Sequence, residues 1–243
     1  MPRRRGAPRR QSPSHLSTIR PPCGDLQEYS GRVHLVPEPV MKMLATVADT
    51  ADARAGNDGH CWRVATYVAA LAHVLGLAPY QSALFADAAR LHDLGAVDLP
   101  RDLLTKSDPL TEQEWALLRT HATRGADRLS LLPETRPLCA VVLHHHERVD
   151  GCGYPGRLTG EAIPLGAQVI AVADSFDAMT HAHSYKPADF IARSLETLAR
   201  GAGTAWDPDI VATFVAEAVP HLLRSGTLMV SCDGSFDRSL GRL

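Results

Sequence analysis

The chain has 243 residues, of which 45% are hydrophobic and 21% are charged, and its formal net charge is −2. These proportions are those of an ordinary globular protein, and the apolar stretches are only a few residues long. They exclude a membrane-embedded protein and a fibrous or low-complexity chain. Six of the 25 basic residues lie in the first 20 positions, which hold no acid, so the remaining chain carries a net charge of −8. That sign argues against a nucleic-acid-binding core.

Residues 1–34 are rich in Arg and Pro and predict a disordered tail. The simplest interpretation is a solvated segment, and the alternative is an electrostatic anchor for nucleic acid or an acidic partner. The tail lacks the apolar segment of a secretory signal. The five cysteines are odd in number and never spaced Cys-x-x-Cys, which excludes a disulfide framework and favours a reducing, cytoplasmic location.

Helical periodicity begins with a leading helix within residues 35–56, where apolar residues recur at helical spacing. Glycines end this segment, and His60 opens a second helix. Pro79 can occupy the first turn of a third helix, which ends at the dipeptide His92-Asp93.

The middle of the chain predicts shorter elements. A loop over residues 94–110 precedes a helix that starts with a capping box at Thr111 and carries His121 near its end. Further helices are predicted over residues 122–132 and 135–146.

A glycine-rich loop over residues 151–160 separates these helices from a long apolar helix that starts after Pro164. Pro187 and Asp207 introduce two last helices, and residues 223–243 form a C-terminal tail. Period-two alternation is almost absent, so the sequence predicts one all-α domain between its two tails.

Histidine usage is the informative anomaly, because most of the clustered histidines lie at predicted helix ends and beside carboxylates. Asp174 is the strongest single indication of a functional site. It sits inside an otherwise apolar helix, where an unpaired carboxylate would be costly. Three partners would offset this cost: a metal ion, a neighbouring helix that the carboxylate caps, or an Arg with which it pairs.

Five histidines and two aspartates have the donor atoms of an Fe, Mn or Zn site. They are His60, His92, Asp93, His121, His145, His146 and Asp174. Adjacent residues such as His145 and His146 diverge by ~100° around a helix, so this pair is predicted to serve two metals more easily than one. Two ions roughly 3.5–4 Å apart can clamp a phosphoryl group and activate water.

These residues stand in an ordered set of motifs. The segments are His60-x-x-Arg63-Val64-Ala65, His92-Asp93-Leu94-Gly95, Leu110-Thr111-x-x-Glu114-Trp115 followed by His121, His145-His146-Glu147-Arg148-x-Asp150-Gly151-x-Gly153-Tyr154-Pro155, and Ala171-Val172-Ala173-Asp174-x-Phe176-Asp177-Ala178-Met179-Thr180. In order and spacing they resemble the HD-GYP branch of the HD phosphohydrolase superfamily. The Gly-Tyr-Pro segment and the His-His-Glu-Arg before it are very specific to that branch.

The resemblance implies an all-α HD core of five helices with additional C-terminal helices, as one HD-GYP domain over residues 57–222. It also implies two divalent ions, iron or manganese, and hydrolysis of cyclic di-GMP to linear pGpG or GMP. The metal ligands that it implies are His60, His92, Asp93, His121, His145, His146 and Asp174. Asp93 and His92 are the implied catalytic residues, with Asp93 as a carboxylate that bridges both ions. His144 has no ligand role in the pattern.

The substrate-binding residues that the resemblance implies are Lys186, Arg148, His183 and Tyr154. It also implies that the Gly-Tyr-Pro loop can contact a protein partner. The chain departs from the family at three positions. Many members have Lys where this chain has Ala96 and Arg where it has His183, and members with a third metal have an acid where it has Gly56.

A phosphodiesterase for a cyclic dinucleotide is the leading interpretation. One alternative is a weakly active or inactive module of the same fold that signals through its Gly-Tyr-Pro loop. The other is an HD phosphohydrolase for another nucleotide. No membrane span and no nucleic-acid partner are expected.

Overall fold

Helices make up almost all of the regular structure in the computed structural model, which describes residues 27–29, 32–181 and 189–228. The α-helices are α1 (Glu38–Ala55), α2 (His60–Val74), α3 (Pro79–Arg90), α4 (Arg101–Leu104), α5 (Glu112–Leu118), α6 (Thr120–Ser130), α7 (Cys139–Leu143), α8 (Leu165–His181), α9 (Asp189–Gly201), α10 (Pro208–Thr213) and α11 (Val219–Arg224). Short 3₁₀ turns lie at Leu94–Asp98, Pro133–Leu138 and Gly160–Ala162, and the π-helical turn Phe214–Ala218 joins α10 to α11. Within these described ranges, no helix has the combination of length and apolar character needed to cross a membrane.

The predicted all-α class is confirmed, with one small addition. Strands β1 (Gln27–Tyr29) and β2 (Arg32–His34) pair antiparallel inside the range predicted as a disordered tail. Strands of three residues are too short to show the alternation from which strands are predicted. The other residues of that tail, 1–26 and 30–31, lie outside the described part of the chain.

The core forms where α2 packs against α1, α3 and α8. Phe176 of α8 is fully buried between two other rings, with centroids 5.4 Å from Tyr67 and 5.2 Å from Phe214. Edge-to-face pairs of this kind add to the free energy of burying the rings. This packing fixes α8 against α2, and both helices carry residues of the candidate site.

The turn between α1 and α2 has the geometry that its glycines predict. Gly56 ends α1 at φ +74°, and Gly59 precedes α2 at φ +74°, a left-handed conformation that side chains disfavour. Gly59 offers no side chain to cap α2. The buried carboxylate of Asp52 does so instead, because its Oδ2 accepts a hydrogen bond from Cys61 N at 2.9 Å.

Two predicted helix boundaries are wrong. His121 lies in the first turn of α6, because α5 ends at Leu118 and a new helix begins at Thr120. The Thr120 hydroxyl donates to Leu117 O at 2.7 Å, which competes with the helical backbone bonds there. The helix predicted over 135–146 is a 3₁₀ turn followed by the short α7, since Pro137 has no N–H to donate.

Candidate metal centre

Five separate segments bring the seven predicted ligands to one place. His60 begins α2, His92 and Asp93 follow α3, and His121 lies in the first turn of α6. The turn after α7 supplies His145 and His146, and the middle of α8 supplies Asp174. Six of these side chains form two clusters of groups that could hold metal ions, and Asp174 lies beside the first.

The first cluster contains His60, His92 and Asp93, whose ligand atoms all lie within 4.8 Å of one another. Asp174 adjoins this cluster. Its Oδ1 lies 3.2 Å from Nε2 of His60 and 3.9 Å from Nε2 of His92. Two imidazoles and two carboxylates therefore face a common point.

The second cluster contains Asp93, His121, His145 and His146. Nε2 of His121 lies 3.4 Å from Nε2 of His145 and 3.1 Å from Nε2 of His146. The prediction that His145 and His146 diverge toward different metals is therefore wrong. They lie in a turn rather than a helix, and their ring centroids are only 4.0 Å apart.

Asp93 belongs to both clusters through different oxygens. Its Oδ2 lies 3.8 Å from Nε2 of His60 and 3.7 Å from Nε2 of His92. Its Oδ1 lies 3.3 Å from Nε2 of His121 and 3.9 Å from Nε2 of His145. A carboxylate so placed can bridge two cations.

Backbone carbonyls orient three of the imidazoles in the same way. Nδ1 of His92, His121 and His145 donates to the carbonyl oxygen three residues earlier, at 2.8, 2.7 and 2.6 Å. With the proton on Nδ1, each Nε2 presents its lone pair to the centre, as a metal ligand must. Nε2 of His92 is buried without a hydrogen-bond partner in the described structure, an arrangement that a bound cation would satisfy.

Burial favours the neutral imidazole at two histidines of the second cluster. Burial lowers the pKa of His146 to about 4 and also lowers the pKa of His145. Burial acts to raise the pKa of Asp93, but the surrounding histidines, with His92 first, hold it well below its usual range. Neutral imidazoles around an ionised carboxylate are the protonation states that metal binding requires.

His60 has the opposite tendency. Burial acts to lower its pKa, but hydrogen bonds to Asp174 and Asp177 raise it to about 11. In the absence of a metal, a proton on His60 balances the two carboxylates. A divalent cation at the first cluster would take the place of the proton at Nε2.

Asp177 and Arg63 hold His60 on the side away from the clusters, and neither was among the predicted site residues. Asp177 Oδ2 accepts from Nδ1 of His60 at 2.7 Å, and its Oδ1 accepts from Nε of Arg63 at 2.8 Å. Spacing offered a signal, because Arg63 follows His60 by three positions and Asp177 follows Asp174 by three. Residues three apart share one face of a helix.

The Gly-Tyr-Pro loop closes over the second cluster. The buried Glu147 accepts hydrogen bonds from the backbone N–H groups of Gly156 and Leu158, which holds the loop in place. The Tyr154 ring lies 4.8 Å from the ring of His146. His144 lies outside both clusters, with its Nδ1 3.2 Å from Glu147 Oε1.

Of the other three predicted substrate-binding residues, only Arg148 belongs to the described part of the chain, and its described side-chain contact leads away from the clusters. Arg148 pairs with Asp150, with an Nη2–Oδ2 distance of 2.6 Å. Lys186 and His183 lie outside the described residues.

Ala96 is buried in a small apolar cluster with Ala51 and Leu99. Replacing it by Lys is expected to lower the free energy of unfolding by about 1–3 kcal/mol, because the longer side chain overpacks this cluster. Urea denaturation measures the change. The matched control is Ala53→Lys on the exposed face of α1, with an expected change within about 0.5 kcal/mol. Equal stability of both variants would show that a Lys stem finds room at position 96.

The chain is similar in sequence to proteins of known function. A family model described as HD domain matches residues 38–210. A cyclic di-GMP phosphodiesterase of Vibrio cholerae is 36% identical over 188 residues, which cover 71% of this chain and 38% of that protein. The 3′3′-cGAMP-specific phosphodiesterase 2 of the same organism is 35% identical over 176 residues, which cover 70% of this chain and 33% of that protein.

Among solved structures, an HDG"Y"P protein of Bdellovibrio bacteriovorus has the same fold. The TM-score is 0.54 at 19% identity, and the match covers 72% of this chain and 60% of that one. The chain spans only 38% and 33% of the two V. cholerae relatives. Further segments of those proteins therefore have no counterpart in the matched region.

Proposed function

Because this chain belongs to the HD-domain family, in its HD-GYP branch, we propose that it is a metal-dependent phosphodiesterase that hydrolyses a cyclic dinucleotide. Cyclic di-GMP is the proposed substrate, and linear pGpG or GMP is the product. One observation carries the proposal: Asp93 presents one carboxylate oxygen to each of two His/Asp clusters. Relatives named for cyclic di-GMP and for 3′3′-cGAMP support the substrate class.

We assign one divalent ion to each cluster. His60, His92 and Asp174 would hold the first, three histidines would hold the second, and Asp93 would join them. The three histidines of the second cluster are His121, His145 and His146. Imidazole nitrogens and carboxylate oxygens suit iron or manganese, and no thiol belongs to either described cluster. When bound, such a pair supplies Lewis acidity and a water activated at neutral pH.

The residues of the chain act by positioning. The carbonyl-bound Nδ1 atoms hold each Nε2 toward the centre, and Asp177 holds His60 through its Nδ1. The Tyr154 ring packs against that of His146 and covers one side of the second cluster. A phosphodiester placed between the clusters would have its negative oxygens facing the ions, where developing charge is stabilised.

Elemental analysis after anaerobic purification is expected to find about two first-row metal ions per chain. The loaded protein is expected to convert cyclic di-GMP to a linear product, and a chelator is expected to stop the reaction. Turnover of cyclic di-GMP, 3′3′-cGAMP and cyclic di-AMP, followed by chromatography, measures both results. A folded chain that takes up no metal, or a loaded chain that leaves all three intact, would contradict the proposal.

The buried Ala96, at a position where many members of the branch have Lys, favours one alternative, a weakly active module that signals through its Gly-Tyr-Pro loop. Cys152 and Arg157 of that loop are exposed and could contact a protein partner. A loaded chain that binds a cyclic dinucleotide with little turnover supports this alternative.

The free cysteines Cys61 and Cys139 fit the proposed cytoplasmic location.

A further inference from the structure

An arginine lies between two aromatic rings beside the second cluster. Cζ of Arg119 lies 5.3 Å from the centre of the Tyr154 ring and 5.7 Å from that of Trp115. The Tyr154 ring packs in turn against those of His146 and His121, with centroid distances of 4.8 and 6.4 Å. Trp115, Arg119 and Tyr154 therefore form a row that leads from the candidate metal ligands to solvent.

Local structure explains why these side chains meet. Trp115 and Arg119 are four residues apart at the end of α5, so they share one helix face. The Tyr154 ring is brought to them by the loop that Glu147 anchors. Cation–π contacts with both rings restrict the guanidinium to the space between them.

Two side chains of the row are exposed and can contact a ligand. Trp115 is 44% exposed, although most large apolar side chains of the described residues are buried. Arg119 is also exposed, and no described residue accepts a hydrogen bond from its guanidinium. An exposed indole beside a cation with free N–H donors can take a flat ligand that has hydrogen-bond acceptors on its edge.

Guanine is such a ligand. Its O6 and N7 are adjacent acceptors that match the paired N–H donors of a guanidinium, and its face can stack on an aromatic ring. Adenine presents N7 beside an N6 amino donor, so it satisfies only half of this pairing. When the phosphodiester lies at the clusters, the nucleobase attached to it must lie on a surface next to them. The row of Trp115, Arg119 and Tyr154 is such a surface.

We propose that Trp115, Arg119 and Tyr154 form a guanine-recognition subsite, in which Trp115 stacks on the base and Arg119 donates to O6 and N7. This inference rests on the proposed function and deepens it. It makes guanine-containing cyclic dinucleotides the preferred substrate class. Leu117 and Leu118 pack α5 against the cluster of Ala96, so Arg119 brings a cation to the side of the site where this chain lacks Lys.

The test measures dissociation constants by titration calorimetry on the metal-loaded protein. The probes are non-hydrolysable phosphorothioate analogues of cyclic di-GMP, 3′3′-cGAMP and cyclic di-AMP. Arg119→Ala is expected to weaken binding of the two guanine-containing probes by about 10- to 100-fold and to change cyclic di-AMP binding little. Trp115→Ala is expected to weaken all three by about tenfold, because stacking depends little on the base.

The matched control is Arg193→Ala on α9, an exposed arginine that also stacks on an aromatic ring, with Cζ 6.0 Å from the centre of Phe190. Its affinities are expected to equal those of the wild type. The metal content of Arg119→Ala, measured by elemental analysis, should equal that of the wild type. That result shows that the clusters are intact.

Equal weakening of all three probes by Arg119→Ala would overturn guanine recognition, because it would show a contact with phosphate. Unchanged affinities would overturn the subsite as a whole. Wild-type protein that hydrolyses cyclic di-GMP while Arg119→Ala binds normally refutes the subsite alone. Wild-type protein that cleaves bis(p-nitrophenyl) phosphate but binds none of the probes refutes the proposed function together with the subsite.

Discussion

Replacing Asp93 by Ala is expected to remove both metal ions and to lower turnover by about 10³-fold or more. The reason is geometric: Oδ2 faces His60 and His92, whereas Oδ1 faces His121 and His145. Losing one carboxylate therefore removes a ligand from each cluster. Without the ions, the enzyme loses most of the stabilisation of charge in the transition state. Elemental analysis and turnover of cyclic di-GMP measure the two effects.

Single-cluster variants sharpen this test. His92→Ala and His146→Ala each remove a ligand from one cluster, so each is expected to lose about one ion while Asp93→Ala loses both. His73→Ala is the negative control, because this exposed residue of α2 faces His221, with a ring-centroid distance of 5.6 Å. An Asp93→Ala protein that keeps two ions would refute the bridging role.

Replacing Asp177 by Ala is expected to lower the free energy of unfolding of the metal-free chain by about 3–5 kcal/mol. The Asp177 side chain is 0% exposed and pairs with Arg63, His60 and His181. Burial acts to raise the pKa of this carboxyl, but its hydrogen bonds, with His181 first, hold it well below the usual range. Its removal leaves the mostly buried guanidinium of Arg63 without its carboxylate partner, which is the costly step.

The matched control for Asp177→Ala is Asp98→Ala. Asp98 also pairs with an arginine, Arg128, but the side chain of this arginine is 43% exposed. Water solvates the Arg128 guanidinium once the carboxylate is gone, so the expected change is at most about 1 kcal/mol. Urea denaturation followed by circular dichroism measures both variants. A loss for Asp177→Ala no larger than that for Asp98→Ala would contradict the role of the buried carboxylate.

The helices themselves could be predicted because their signals are local. Gly56 and Gly59 mark the turn before α2, Pro79 begins α3, and the capping box at Thr111 begins α5, all as predicted. These signals act through hydrogen bonds and dihedral angles within a few residues. The wrong boundaries, at His121 and over 135–146, lie where side-chain bonds or a proline interrupt an otherwise helical pattern.

The sequence by itself determined the all-α class, the identity of the six His and Asp side chains in the clusters and of Asp174 beside them, and the family. Only the tertiary structure showed how those side chains are divided between the two clusters. His145 and His146 belong to the same cluster, whereas helical spacing predicted that they would serve two different metals. The tertiary structure also decided that Asp177 supports His60 and that Arg119 meets Tyr154. Periodicity and capping report on neighbours along the chain. The partners of Asp177 and Tyr154 lie 117 and 35 positions away, and only packing of α2 on α8 and closure of the loop brings them together.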